Sequence, residues 1–299
     1  RNTVLGTATG CAIVVLMIIS SVQVGYWKDS VRLFEHALAV TKNNYLAHNI
    51  LGTALNERKE VKKAMAHFTE ALRIRPDYVE AHNNLGLALA SQGRVREAIS
   101  HYSEALRRSP DHLETLNNMG IALASQGRVR EAIAHYSRAL SIKPDYEDAL
   151  NNLGLALASQ GKMDGAILHY RRALQINPDN VKVKNNLGIA LMDTGKLDKA
   201  IISFLEALDM KPDCAEAHNN LGMSLARLGK LGPAADSFRK ALRIDPDNAT
   251  VQNNMGLALT ALGDREGALV HFQNALRLRP DYADARRNME AMRGATGGH

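Results

Sequence analysis

The sequence is short of the residues that most chains use to staple or centre a fold. Two cysteines, Cys11 and Cys214, stand far apart in different contexts, which excludes a disulfide framework or a thiolate metal site and leaves the redox compartment open. Aromatic residues are 5% of the 299 positions, with one tryptophan, so small residues must do most of the packing. No block of one charge occurs: 37 lysines and arginines face 31 acidic residues, a net +6, and Arg94, Arg96, Arg107, Arg108, Arg128 and Arg130 are spread at even spacing. Without interleaved aromatics these arginines read as a solvated outer face, and no nucleic-acid partner is expected. There is no phosphate loop, no G-x-S-x-G, no Cys/His pair at ligand spacing and no carboxylate pair outside the repeating pattern. The chain is therefore not expected to be an enzyme or to hold a cofactor; any catalytic chemistry would belong to sequence upstream.

What the sequence does have is one step, taken again and again. Gly52, Gly86, Gly120, Gly154, Gly188, Gly222 and Gly256 are 34 residues apart. Every proline except Pro233 follows the same step, from Pro76 to Pro280, as do Phe34, Phe68, Tyr102, Tyr136, Tyr170, Phe204, Phe238 and Phe272. A fixed period of this length marks a stacked repeat, in which each unit buries its apolar face only against its neighbours.

Within one unit the apolar period is helical. Ala81, Leu85, Ala88 and Leu89 form one stripe, ending at Gly93, a residue suited to the left-handed position past a helix. Val95, Ala98, Ile99, Tyr102, Ala105 and Leu106 form a second, stopped at Pro110. Asp111 with Glu114 reads as a capping box for the next helix, repeated at Asp77 with Glu80 and Asp213 with Glu216. Gly86 costs about 1 kcal/mol inside a helix; its compensation is expected to be close approach of the paired helix, with the recurrent aromatic filling the seam to the next unit.

Leu85, Gly86, Leu89, Ala98, Tyr102, Ala105 and Pro110, in this order and at this period, resemble the tetratricopeptide repeat. The resemblance divides the chain into an apolar N-terminal helix over 1–26, a partial repeat over 27–44, seven full repeats over 45–282, a closing helix over 283–293 and a tail over 294–299. It implies an all-α, right-handed superhelical solenoid that binds peptides or proteins on a concave face lined by the first helix of each unit. On that face Asn83, Asn117 and Asn151 are followed by Asn84, Asn118 and Asn152, and the second member recurs as Asn186, Asn220 and Asn254. Asparagine both donates and accepts, so such a row can follow the amides of any extended chain, and it is similar to the asparagine ladder of the O-linked N-acetylglucosamine transferases. The second of each pair is the better ladder candidate. The competing reading is that one asparagine of each pair bonds to a neighbouring repeat and stiffens the stack. Leu87, Ile121 and Leu155 lie one turn later as an apolar floor, unless they pack between repeats, and Glu80, Glu114, Asp148 and Glu216 lie one turn earlier, which disfavours a clamp for a chain-end carboxylate.

His67, His101, His135, His169 and His271 precede the repeating aromatic. Equivalent rings in neighbouring units stand about 8–10 Å apart, too far to share a zinc ion that each must reach at about 2 Å, so no metal is expected.

Asn2 to Trp27 carries no charge, and the stretch over 4–24 reads as a spanning helix with Tyr26 and Trp27 at an interface, or as a helix packed on the first repeat. The join "YWKDSVRLFEHAL" resembles that of multi-pass membrane proteins of the mannosyltransferase-like class, whose repeats face the periplasm or lumen. Three functions follow: a membrane-tethered scaffold for an extended peptide or partner protein; the repeat region of a larger membrane glycosyltransferase; or a subunit that self-associates into an extracellular fibre. Asn248-Ala249-Thr250 is a glycosylation sequon.

Overall fold

The computed structural model describes residues 29–294, and every element among them is an α-helix. The uncharged segment read as an N-terminal helix, Trp27, Cys11 and residues 295–299 lie outside the described residues. No described helix is long and apolar enough to cross a membrane. The chain divides into two compact units, one up to Lys143 and one from Pro144.

The first unit contains α1 (Ser30–Val40) and three helix pairs, α2 (Tyr45–Glu57) with α3 (Val61–Ile74), α4 (Val79–Ser91) with α5 (Val95–Arg108), and α6 (Leu113–Ser125) with α7 (Val129–Ile142). The second contains α8 (Glu147–Ser159) with α9 (Met163–Ile176), α10 (Val181–Asp193) with α11 (Leu197–Met210), α12 (Ala215–Arg227) with α13 (Leu231–Ile244), α14 (Ala249–Leu262) with α15 (Arg265–Leu278), and α16 (Ala283–Gly294). Each is a stack of helix pairs, the layering of an α-solenoid. Within a unit neighbouring first helices touch, α2 with α4, α4 with α6, and α8 through α16 in turn, whereas no two second helices do among the described residues. The first helices therefore line the inner side of the curve in each unit.

Glycine fixes this spacing. A Cβ built on Gly86 would lie 2.5 Å from Cε1 of Tyr102, and the same collision recurs from Gly52 with Phe68 to Gly256 with Phe272. The ring of the paired helix thus lies on the glycine itself, whereas the sequence had suggested backbone against backbone with the ring in the seam beyond. Tyr102, Tyr136 and Tyr170 are almost fully buried, and burial pushes their phenol pKa values up. Gly93 and its equivalents close the first helices from α4 to α12 at φ +74°, and Gly263 closes α14 at φ +84°. In the first pair the position is Lys59, held at φ 64°.

The capping boxes are placed one residue differently from the sequence reading. The N-caps are Tyr78, His112, Tyr146, Asn180, Cys214 and Asn248. Pro76 and Asp77 instead form the centre of a turn in which the Tyr78 amide donates to the Arg75 carbonyl at 3.2 Å, repeated from His112 to Ser109. Proline pre-sets the first central residue of such a turn and aspartate suits the second.

On the outer face, cations at the N-caps of second helices are tied to carboxylates three residues on. Arg94 donates to both oxygens of Glu97 at 2.7 Å, and Arg128 does the same to Glu131. These exposed pairs add little stability but account for arginines at repeat spacing.

Candidate partner-binding surface

Each first helix has one stripe facing solvent on the inner side. In α4 it is Glu80, Asn84, Leu87 and Ser91; in α6 it is Glu114, Asn118, Ile121 and Ser125. Positions spaced four, three and four residues apart lie along one side of a helix, while Ala81, Leu85, Ala88 and Leu89 take the buried side. Leu87 and Ile121 are 45% and 47% exposed, and Leu155 and Leu257 are similarly open. Ile189 and Met223 are half-buried. A shallow depression of about 340 Å³ on this face of the second unit is lined by Met223, Ala226, Arg227, Leu257 and Asn254 among others.

The two asparagines of each pair are placed differently. Asn83, Asn117 and Asn151 are buried, whereas Asn84, Asn118, Asn152, Asn186 and Asn254 are half-buried on the open stripe. The sixth unit reverses this, with Asn220 buried and Asn219 half-buried. The second asparagine donates its amide to the first asparagine of the preceding pair. Asn118 Nδ2 reaches Asn83 Oδ1 at 3.0 Å, Asn84 reaches Asn49 at 3.1 Å, and in the second unit Asn186 reaches Asn151 at 2.9 Å, Asn220 reaches Asn185 at 3.1 Å, and Asn254 reaches Asn219 at 3.0 Å. Asn288 closes the row on Asn253 at 2.9 Å. These bonds fix the amide planes of the second asparagines. In Asn118 one N–H is committed to the neighbour, which leaves the Oδ1 acceptor and a second N–H for an incoming chain; in Asn84 the Nδ2 also reaches Thr53 Oγ1 and the Oδ1 accepts from Asn83 Nδ2, both at 3.4 Å, which leaves one lone pair of the Oδ1.

Asn248 caps α14: its Oδ1 accepts from the Val251 amide at 3.1 Å and its Nδ2 donates to Asp245 at 2.9 Å. A glycan on that nitrogen would replace one of its two hydrogens and leave a single N–H for the Asp245 carboxylate.

Pairing of histidines across a single helix pair escaped the sequence reading. His48 Nδ1 lies 3.0 Å from His67 Nδ1, and His82 Nδ1 lies 3.0 Å from His101 Nδ1. His82 Nε2 lies 3.0 Å from the Pro76 carbonyl, which makes it the donor there, so His82 Nδ1 accepts and His101 Nδ1 donates. Burial holds the imidazoles of His48, His67 and His101 below the usual pKa, and the facing ring adds to the effect at His67 and His101. In the seventh unit Gln252 Oε1 replaces the first histidine and lies 2.6 Å from His271 Nδ1. The constant offset of 19 residues was the signal in the sequence. Among the described residues no three metal-ligating side chains converge.

Models of the tetratricopeptide repeat match residues 77–145, 117–181, 185–249 and 248–279, and a TPR repeat model matches 52–93. The chain belongs to the tetratricopeptide-repeat family. Solved structures agree on the fold. The APC/C hetero-tetramer Cut9-Hcn1 aligns with a TM-score of 0.71 at 17% identity over 88% of this repeat protein, which spans 51% of that chain's length. A tetratricopeptide repeat protein from Parabacteroides merdae gives 0.65 at 18% identity, covering 84% of this chain and all of that one. YrrB, described as a TPR protein with an unusual peptide-binding site, gives 0.53 at 23% identity over 66% of this chain and 97% of its own. Comparison with curated proteins finds no match. Resemblance to the mannosyltransferase-like membrane class finds no support in these comparisons.

Proposed function

We propose that this repeat protein is a protein-interaction scaffold whose first-helix face receives an extended segment of a partner. The observation that carries the proposal is the half-buried asparagine row, oriented by bonds such as Asn118 to Asn83 and set beside exposed Leu87 and Ile121. Backbone amides of the partner meet the asparagine acceptors, and aliphatic side chains cover the leucine and isoleucine. The peptide-binding site named for YrrB is consistent with this use of the fold. Fluorescence anisotropy with a library of labelled extended peptides tests it. Asn84→Ala with Asn118→Ala is expected to weaken binding at least about fivefold, and equal binding by the variant would sink the proposal.

The uncharged segment from Asn2 to Trp27 supports a further part of the same reading, a membrane tether that leaves the repeats periplasmic or extracellular. Extraction of native membranes with carbonate and then detergent tests the tether; release by carbonate alone removes it.

A further inference from the structure

The open stripe of the first unit has an unusual charge for this chain. Across α2, α4 and α6 it carries Leu46, Ile50, Glu57, Glu80, Leu87, Glu114 and Ile121, and no lysine or arginine, although the protein as a whole is net +6. Arg73 and Arg107 on the second helices, and Arg94 and Arg128 at the N-caps of second helices, are neutralised by Glu70, Glu104, Glu97 and Glu131. Exposed Glu57 and Glu80 have no cationic partner among the described residues, and Glu114 has only His112 Nε2, at 3.6 Å. In the second unit the row of Glu80 sets Lys182 among Asp148 and Glu216, and the row of Ser91 sets Arg227 beside Asp193, so only the first unit's stripe carries carboxylates without a cation among them.

Spacing along the stack narrows the occupant further. Neighbouring first helices pack about 8–10 Å apart, so Glu80 and Glu114 repeat at about that interval. A polyproline II chain returns to the same face every three residues, about 9 Å along its axis. A β-strand presents one face at roughly 7 and 13 Å and falls out of step. Polyproline II also leaves its backbone N–H groups without internal partners, free to meet the Asn84 and Asn118 acceptors.

We infer that the first unit selects a basic extended segment in the polyproline II conformation, with lysine or arginine at every third position over Glu80 and Glu114 and aliphatic residues over Leu87 and Ile121. This deepens, and rests on, the scaffold reading above.

The test uses the full chain and labelled peptides of repeating Lys-Pro-Leu, Ser-Pro-Leu and Lys-Pro-Leu-Ala. The first is expected to bind three- to tenfold more tightly than the other two, roughly the worth of two exposed ion pairs. High salt and the Glu80→Gln, Glu114→Gln double variant are expected to abolish the advantage. Equal affinity for the serine and lysine peptides, or a preference that survives the double variant, overturns the basic selectivity and leaves the scaffold standing. Equal binding of Lys-Pro-Leu and Lys-Pro-Leu-Ala overturns the three-residue register. No binding by any peptide, neutral ones included, overturns this inference and the scaffold reading together.

Discussion

Replacing Gly86 by alanine tests the packing rule that generates the stack. The added Cβ would sit 2.5 Å from Cε1 and 2.8 Å from Cδ1 of Tyr102, against about 3.5–4.0 Å for relaxed carbon contacts. The ring must retreat by about 1 Å, yet Tyr102 is 1% exposed and its neighbours Ala98 and Ala105 are fully buried, so there is little room. Overpacking of this kind costs about 1–3 kcal/mol, and the clash puts Gly86→Ala toward the upper end. Alanine recovers about 1 kcal/mol of helix propensity. The expected net is a loss of roughly 1–2 kcal/mol. Gly232 is the internal control, because a Cβ there meets nothing within 4 Å beyond its chain neighbours; the gain in helix propensity is offset by crowding against the following Pro233, and Gly232→Ala is expected to stay within about 1 kcal/mol of the parent protein. Urea unfolding followed by circular dichroism gives the stabilities, and hydrogen exchange in α4 and α5 localises the effect, since a repeat stack need not unfold in one step. In a Tyr102→Leu background the penalty of Gly86→Ala should shrink, which a double-mutant cycle measures. If Gly86→Ala proved as harmless as Gly232→Ala, the glycine would not be there for the ring.

Acidification should loosen the first unit. His48, His67 and His101 are held below the usual histidine pKa by burial, so their contribution is fully present above the unfolded value, about 6.5, and is lost as pH falls through the folded values. His48→Gln with His82→Gln copies the Gln252–His271 pair and should flatten the decline in melting temperature between neutral and acidic buffer; an unchanged profile refutes the role of the pairs. Asn83→Ala strips a buried acceptor used by both Asn118 and Thr115 and should cost about 1–3 kcal/mol. Asn84→Ala, which loses the weaker bonds of a half-buried donor, should cost less in stability and more in peptide affinity; the reverse order would contradict the division of labour drawn here. Lys59→Gly relieves a left-handed residue and should raise the unfolding free energy by up to about 1 kcal/mol, with no gain if the lysine is unstrained.

The helix pairs were legible because the repeat writes each packing contact many times: Gly86 with Tyr102 is stated again at Gly120 with Tyr136 and at Gly154 with Tyr170. The open stripe was legible for the same reason, since Leu87, Ile121 and Leu155 share a register that no buried position occupies. The direction of the asparagine bonds was not. Adjacent asparagines have identical chemistry, and only the curvature of the stack decides that Asn118 reaches back to Asn83 while Asn83 turns inward. The cap positions were misplaced because Pro-Asp serves equally as a turn centre and as a helix start, and the amide of Tyr78 settled it in favour of the turn. Histidine pairing is hidden at the 34-residue period, because the contact runs within a helix pair, from His82 to His101.

Each observed rung of the asparagine row points the same way, from a donor in one pair to an acceptor in the pair before it. The row therefore has a grammar with an opening and a full stop. In the first unit the donor position of α2 is filled by Ile50, which has no amide to give, and in the second unit the acceptor position of α16 is filled by Arg287, whose side chain has no carbonyl to offer. A unit copied into the interior, between α4 and α7, inherits both a donor and a waiting acceptor and lengthens the row. One appended beyond α16 finds a guanidinium where it needs an oxygen, so a copied unit keeps its rung when it is inserted and loses it when it is appended.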